Sequence, residues 1–136
     1  MNQILSNHEV EELLTSSPYH QFLGVHLVES NENSLTICLP FKNTFITGED
    51  GYIHGGIIAT IIDIAGYFAI FQRLNQPNPT IDLRVDYLRV ARKEDLYAKA
   101  SVVKIGKSVS VADVVVTNKE GKQIAIGRGL FNTKQI

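Results

Sequence analysis

The chain has little cysteine, no surplus of charge and no long unbroken apolar run, and each shortage removes a class of protein. A single cysteine, Cys38, rules out an internal disulfide and a multi-cysteine zinc site. It stands in the alternating stretch Ser34-Leu35-Thr36-Ile37-Cys38-Leu39, which reads as a strand and not as the setting of a nucleophile. Lysine and arginine total 13 against 14 acidic residues, so a net charge of -1 creates no field for a polyanion. No nucleic-acid partner is expected, and a nucleotide-like ligand needs a local cluster of cations. The N-terminus, MNQILSNHEVEELL, has no apolar signal core. The run Ile57–Phe71 is too short for a bilayer and carries Asp63 and Gly66. The expectation is a cytoplasmic protein without a membrane partner. No repeat, low-complexity tract or linker interrupts residues 1–136, which read as one domain.

What is present suffices for a core: 44% of residues are hydrophobic and 20% charged. Ser6 or Asn7 predicts an N-cap for a short helix over about 6–16, ended before Pro18. Strands are predicted at Leu23–Glu29 and Leu35–Leu39, separated by the turn composition Ser30-Asn31-Glu32-Asn33. From about Gly56 to Leu74 the chain is too long for one strand and apolar nearly all round, which predicts a buried helix of roughly 28 Å. Beyond Asn75-Gln76-Pro77-Asn78-Pro79 the period becomes two, over a strand reaching from Thr80 to Val90. Ile81, Leu83, Val85 and Tyr87 face one way; Asp82, Arg84 and Asp86 face the other. Further strands are predicted at Leu96–Lys104, Ser108–Thr117 and Gln123–Phe131. One hydrophobic helix needs a surface that encloses it. The prediction is an α+β fold, a long central helix wrapped by a curved antiparallel sheet of five to six strands.

Asp63 is the anomaly in that helix. An unpaired carboxylate taken out of water costs several kcal/mol or is forced to protonate. Either hydroxyls, a helix end or another partner satisfy it, or the acid is there for chemistry.

The segments Gly51-Tyr52-Ile53-His54-Gly55-Gly56, Ala59-Thr60-Ile61-Ile62-Asp63, Thr80-Ile81-Asp82-Leu83 and Asp86-Tyr87-Leu88-Arg89 resemble the hotdog-fold acyl-CoA thioesterases, in particular the phenylacetate-pathway (PaaI-like) branch. The likeness continues through Ala98–Lys107 and Gly121–Gly129 and covers roughly Gly24 to Phe131. His-Gly-Gly alone is a weak signal. Followed by Asp eight residues after its first glycine, inside this element order, it is fairly specific. The resemblance implies hydrolysis of an acyl-CoA to a carboxylate and free CoA, without cofactor or metal, at sites on a dimer interface. A pairing of dimers into a tetramer is a habit of the family.

Elementary geometry is compatible with that implication. A helix N-terminus offers unsatisfied N–H groups and partial positive charge to a developing oxyanion. Paired glycines let a carbonyl come close to the backbone, which makes the Gly55 amide the candidate donor, with Gly56 beside it. Asp63 lies about 12 Å further along the helix axis, too far for both to act on one carbonyl. A two-fold dimer could set Asp63 of one subunit opposite Gly55 of the other. Asp63 would then serve as general base on water or attack directly to give an anhydride. His54 is a candidate acid or base, although a lone histidine at a helix start more often orients its loop. Thr80 matches a Ser/Thr position that helps place water or the carboxylate in some relatives; a plain strand-start hydroxyl is the alternative.

Phosphates of CoA call for cations, and Arg89, Arg92 and Lys107 are the candidates; a solvated basic edge is the competing reading. Tyr52 and Tyr67 are candidates for the acyl pocket, where core packing explains them equally well. One departure stands out. Relatives often carry Asn six residues before the histidine, and this chain has Gly48 there, with Asn43, Glu49 and Asp50 as the nearest polar residues. A non-catalytic acyl-CoA-binding or sensor module on the same fold is therefore the second expectation.

Overall fold

The computed structural model describes residues 4–49 and 51–134. Helix α1 (Asn7–Leu14) opens with a capping box: the Ser6 hydroxyl accepts from the Glu9 N–H while the Glu9 carboxylate accepts from the Ser6 N–H. Pro18 does not merely end this region. It occupies the first turn of a second helix, α2 (Pro18–Leu23), where a missing N–H costs nothing. Gly24, at φ +79°, closes that helix in the left-handed conformation. The predicted strand Leu23–Glu29 consequently begins late, as β1 (His26–Ser30).

β2 (Ser34–Leu39) follows, then a single 3-10 turn (Asn43–Phe45) and a two-residue hairpin that the sequence did not announce, β3 (Ile46–Thr47) with β4 (Tyr52–Ile53). The long helix α3 spans Gly55–Leu74. β5 (Thr80–Tyr87) stops short of Val90, and β6 (Leu96–Lys104), β7 (Val109–Thr117) and β8 (Gln123–Asn132) complete a six-stranded antiparallel sheet in the order β1-β2-β6-β7-β8-β5. The predicted α+β architecture, one central helix on a curved antiparallel sheet, is the observed one.

Alternation sets the core. Leu35, Ile37, Ala98, Ala100, Val114 and Val116 turn inward from the strands to meet Ile58, Ile61, Ile62, Ala65 and Ala69 of α3. The helix approaches β8 closely because glycine stands on both sides. A Cβ on Gly66 would meet the Phe131 ring at 3.0 Å, and one on Gly127 would meet Ile62 at 2.9 Å. At 20 residues α3 is longer than the apolar run read from sequence, and it has the length and hydropathy of a membrane-crossing helix. More than half of it is buried against the sheet, the signature of a core helix.

Two open features frame the site. β5 lies at the edge of the sheet, bonded to β8 on one side only. On α3, the residues beyond Ile58 that are not buried are Ala59, Thr60, Asp63, Tyr67, Phe71, Arg73 and Leu74. Apart from Arg73 they recur every three or four positions and form one stripe.

Candidate active site

The start of α3 is held from three directions. The His54 N–H donates to the carbonyl of Phe45 at 2.8 Å, and the preceding Ile53 N–H donates to Ala91 at 2.7 Å. His54 is the N-cap, and its Nδ1 accepts the Gly56 N–H at 2.8 Å. This accounts for histidine here: an acceptor two bonds from the ring's attachment satisfies one of the orphan donors of the first turn. Nδ1 of His54 is thereby committed to the backbone, an arrangement that orients the loop. The Gly56 N–H is taken up by this bond, while the residue itself lines the cleft described below.

The Gly55 N–H has no partner among the described residues. A bare amide at a helix N-terminus, beside a glycine that leaves the approach clear, is the arrangement expected of an oxyanion donor. Tyr87 covers its other side: the phenol hydroxyl donates to the Gly55 carbonyl oxygen at 2.7 Å. This contact was not foreseen from the sequence, where Tyr87 counted only as an apolar-phase strand residue.

Next to Gly55 lies a cleft of about 450 Å³ lined by Tyr52, Ile58, Tyr87, Leu88, Arg89 and Ala91 among others. Of the predicted site residues, Tyr52, Gly55, Gly56 and Arg89 gather here. Its walls are mostly apolar, with Arg89 as the charge at its edge.

Asp63, Thr80 and Tyr67 stand elsewhere. Asp63 lies on the open stripe of α3, half-buried, so the acid is not locked into the core. The Thr80 hydroxyl donates to its Oδ1 at 2.6 Å, a charge-assisted bond that fixes the carboxylate's orientation. Among the described residues no cation forms an ion pair with it. Tyr67, one turn further along, stacks on Phe71 with ring centres 5.7 Å apart, and burial pushes its phenol pKa up. It belongs to an aromatic cluster that includes Phe68 and Phe131, so packing accounts for it.

Arg89 and Lys107 are not neighbours within one chain. Arg89 donates its backbone N–H to Ile124, at the start of β8, whereas Lys107 sits beside Ser108, bonded to Thr133 past the end of β8. Arg92 is exposed beyond Ala91 and outside the cleft lining. At Gly48 the backbone takes φ +47° and a side chain would meet nothing within 4 Å. Glycine takes that left-handed conformation without cost. Asp50 lies outside the described residues, and Asn43 and Glu49 are exposed.

Helix, wrapped sheet and glycine-led helix start together define a hotdog-fold thioesterase architecture. The thioesterase superfamily pattern matches residues 50–125, and the chain belongs to that family. It is 35% identical over 127 residues to the medium/long-chain acyl-CoA thioesterase YigI of Escherichia coli, covering 79% of this chain and 80% of that one. Thioesterase superfamily member 2 of zebra fish superposes with a TM-score of 0.85 at 27% identity, over 95% of this chain and 99% of that one. The PaaI protein of the E. coli phenylacetic acid degradation operon shares the fold, with a TM-score of 0.84 at 21% identity over 93% and 94% of the two chains.

Proposed function

We propose that this protein hydrolyses an acyl-CoA thioester to a carboxylic acid and free CoA, at a site that two copies of the chain complete. The observation that carries the reading is the pair of tethers on β5: Thr80, its first residue, holds Asp63, and Tyr87, its last, holds Gly55. β5 is an open edge. If two copies pair their β5 edges antiparallel, the Tyr87 end of one strand runs beside the Thr80 end of the other. Gly55 of one copy then approaches Asp63 of the other, and the 12 Å or so separating them along one helix ceases to matter. The same two-fold brings Arg89 of one copy towards Lys107 of the other, which makes a cationic border for the CoA phosphates from groups that are far apart in one chain.

In this arrangement the substrate carbonyl oxygen accepts the Gly55 N–H, and negative charge grows there as water attacks the carbonyl carbon. Asp63 takes the proton from that water. Collapse of the tetrahedral adduct breaks the C–S bond, and CoA leaves as its thiol after receiving the proton. Direct attack by Asp63 to give an anhydride, later hydrolysed, is the other route open to the same carboxylate. Thr80 orients Asp63 in either case. Tyr52 borders the acyl end of the cleft, and a medium-length or aryl acyl group is the substrate class, the medium-length arm being in keeping with the name of the E. coli relative YigI. No metal or cofactor enters the chemistry. The protein is cytoplasmic, and the chain forms a dimer that can pair into a tetramer.

One observation favours binding without turnover. Gly48 presents no amide side chain where relatives often carry Asn, so nothing from that position positions water. The test is release of CoA thiol from short, medium, long and aryl acyl-CoAs, with a no-substrate blank for Cys38. Turnover that drops at least about 100-fold in Asp63→Ala supports the reading. Binding of every acyl-CoA with no thiol released would establish the sensor alternative instead.

A further inference from the structure

The oxyanion donor in this reading is a glycine amide, and glycine has no side chain to hold its own peptide planes in place. Its direction must be set by neighbours. Upstream, the His54 N–H is tied to Phe45 at 2.8 Å, and the His54 carbonyl, which shares a peptide group with the Gly55 N–H, accepts from the Ile57 N–H at 3.0 Å. Downstream, Nδ1 of His54 accepts the Gly56 N–H at 2.8 Å, and among the described residues the one side chain that reaches the Gly55 carbonyl is Tyr87, at 2.7 Å. A carbonyl at the first helical position accepts from the N–H four residues on, and the phenol takes its remaining lone pair. The ring also fills the space over the glycine: a Cβ built on Gly55 would lie 3.3 Å from the ring and its hydroxyl.

Core packing does not demand this tyrosine. Tyr87 is 54% exposed, and its backbone pairs with Ala125 whatever the side chain does. We propose that Tyr87 is a positioning residue for the hydrolytic site: its hydroxyl fixes the Gly55–Gly56 peptide while the Ile57 N–H holds the His54–Gly55 peptide, so that both planes flanking the Gly55 Cα are set and the Gly55 N–H is aimed at the reacting carbonyl. This deepens the thioesterase reading and rests on it. β5 then acts as a strut that registers both reacting groups, Asp63 from its first residue and Gly55 from its last. Because the same strand is the open edge of the sheet, its alignment against a second copy sets donor and acid together.

The variant that tests this is Tyr87→Phe in the full chain, which keeps the ring and removes the hydroxyl. With the best acyl-CoA of the panel, kcat is expected to fall about tenfold and KM to stay within about twofold. In amide NMR spectra the Gly56 signal, which shares a peptide group with the Gly55 carbonyl, should move and its exchange with solvent should quicken. Amides around Thr80 should stay in place. A rise in KM with unchanged kcat would make Tyr87 a substrate contact and overturn the proposal, as would unchanged kinetics. Gly55 and Gly56 signals that do not move overturn it without reference to turnover. A wild-type protein that releases no thiol from any acyl-CoA overturns the thioesterase reading itself, so the two failures are distinguishable.

Discussion

The two sides of α3 are built to different rules. Towards the sheet, Ile58, Ile61, Ile62, Ala65 and Ala69 are buried, and glycines at 66 and 127 draw helix and strand into close contact. Away from it, Ala59, Thr60, Asp63, Tyr67 and Phe71 form a stripe the sheet leaves uncovered. Both sides are largely apolar, which is why the helix shows no amphipathic pattern. A solvent-facing side would carry several charges, whereas this one carries a single carboxylate near its middle. The difference teaches that the sheet-facing side specifies the fold, whereas the open side is left free for the ligand and second chain that the proposed function requires.

Single substitutions should separate the two sides. Asp63→Ala removes the only acid on the open side, and kcat is expected to fall by about 10²–10⁴. Its stability should fall by no more than about 1 kcal/mol, because the half-buried carboxylate gives up one hydrogen bond, from Thr80, and belongs to no hydrophobic cluster. Ile62→Ala, on the buried side, should do the reverse. It is fully buried and touches the Gly127 backbone, so stability should drop by about 2–5 kcal/mol. The folded fraction of Ile62→Ala should keep kcat within about threefold of wild type, since no reacting group is altered. Thermal melts and single-substrate kinetics on both variants decide the matter. A large stability loss in Asp63→Ala, or a large kcat loss in folded Ile62→Ala, would break the distinction.

Thr80→Ala sharpens it at smaller amplitude. The variant frees Asp63 of its 2.6 Å tether without touching the core. Loss of one charge-assisted hydrogen bond is expected to lower kcat about five- to tenfold and stability by about 1 kcal/mol or less. If the kinetic constants are unchanged, Asp63 needs no orientation and Thr80 is an ordinary strand-start hydroxyl.

How much of this was legible beforehand varies with the physics involved. Periodicity gave a sheet of five to six strands and the alternation at the centre of β5, where Leu83 and Val85 pack against the core, while Ile81 and Tyr87 of the same phase stay exposed. The first helix ends before Pro18 as read, but the second helix that Pro18 opens went unseen, because a proline that stops one helix can equally stand in the first turn of the next. The site separated along the same line. Asp63 stood out because an acid in an apolar run violates transfer energetics, and the Gly55 amide followed from helix-end chemistry. Tyr87 carried no such signal: a tyrosine in the apolar phase of a strand looks like core until its hydroxyl is seen on a backbone oxygen. His54 was ambiguous for a related reason, as a capping acceptor and a proton carrier are the same residue type, and only the structure shows its Nδ1 on the Gly56 N–H. The opposite placement of Arg89 and Lys107 needed the strand register.

The face of the sheet turned away from α3 supplies the smallest effect and a control for both helix sides. There Arg128 on β8 binds Asp113 on β7 through two hydrogen bonds, Nε to Oδ1 at 2.6 Å and a terminal nitrogen to Oδ2 at 2.9 Å. The hydrogen bond from the guanidinium holds the Asp113 carboxyl below its ordinary value. A carboxyl whose pKa is lower folded than unfolded stabilises the fold at pH above the unfolded value, and the contribution fades as pH falls through the folded one. Both side chains are about half exposed, so solvent limits the gain to about 1 kcal/mol or less at neutral pH. Asp113→Asn should therefore be slightly less stable than wild type near pH 7, and the two should converge below about pH 3. Hydrolysis should be unaffected at neutral pH, because nothing on that face reaches Gly55 or Asp63. Denaturant titrations at a series of pH values would read this directly. A stability gap that stays constant down to the acid limb would mean the pair contributes through packing and not through charge.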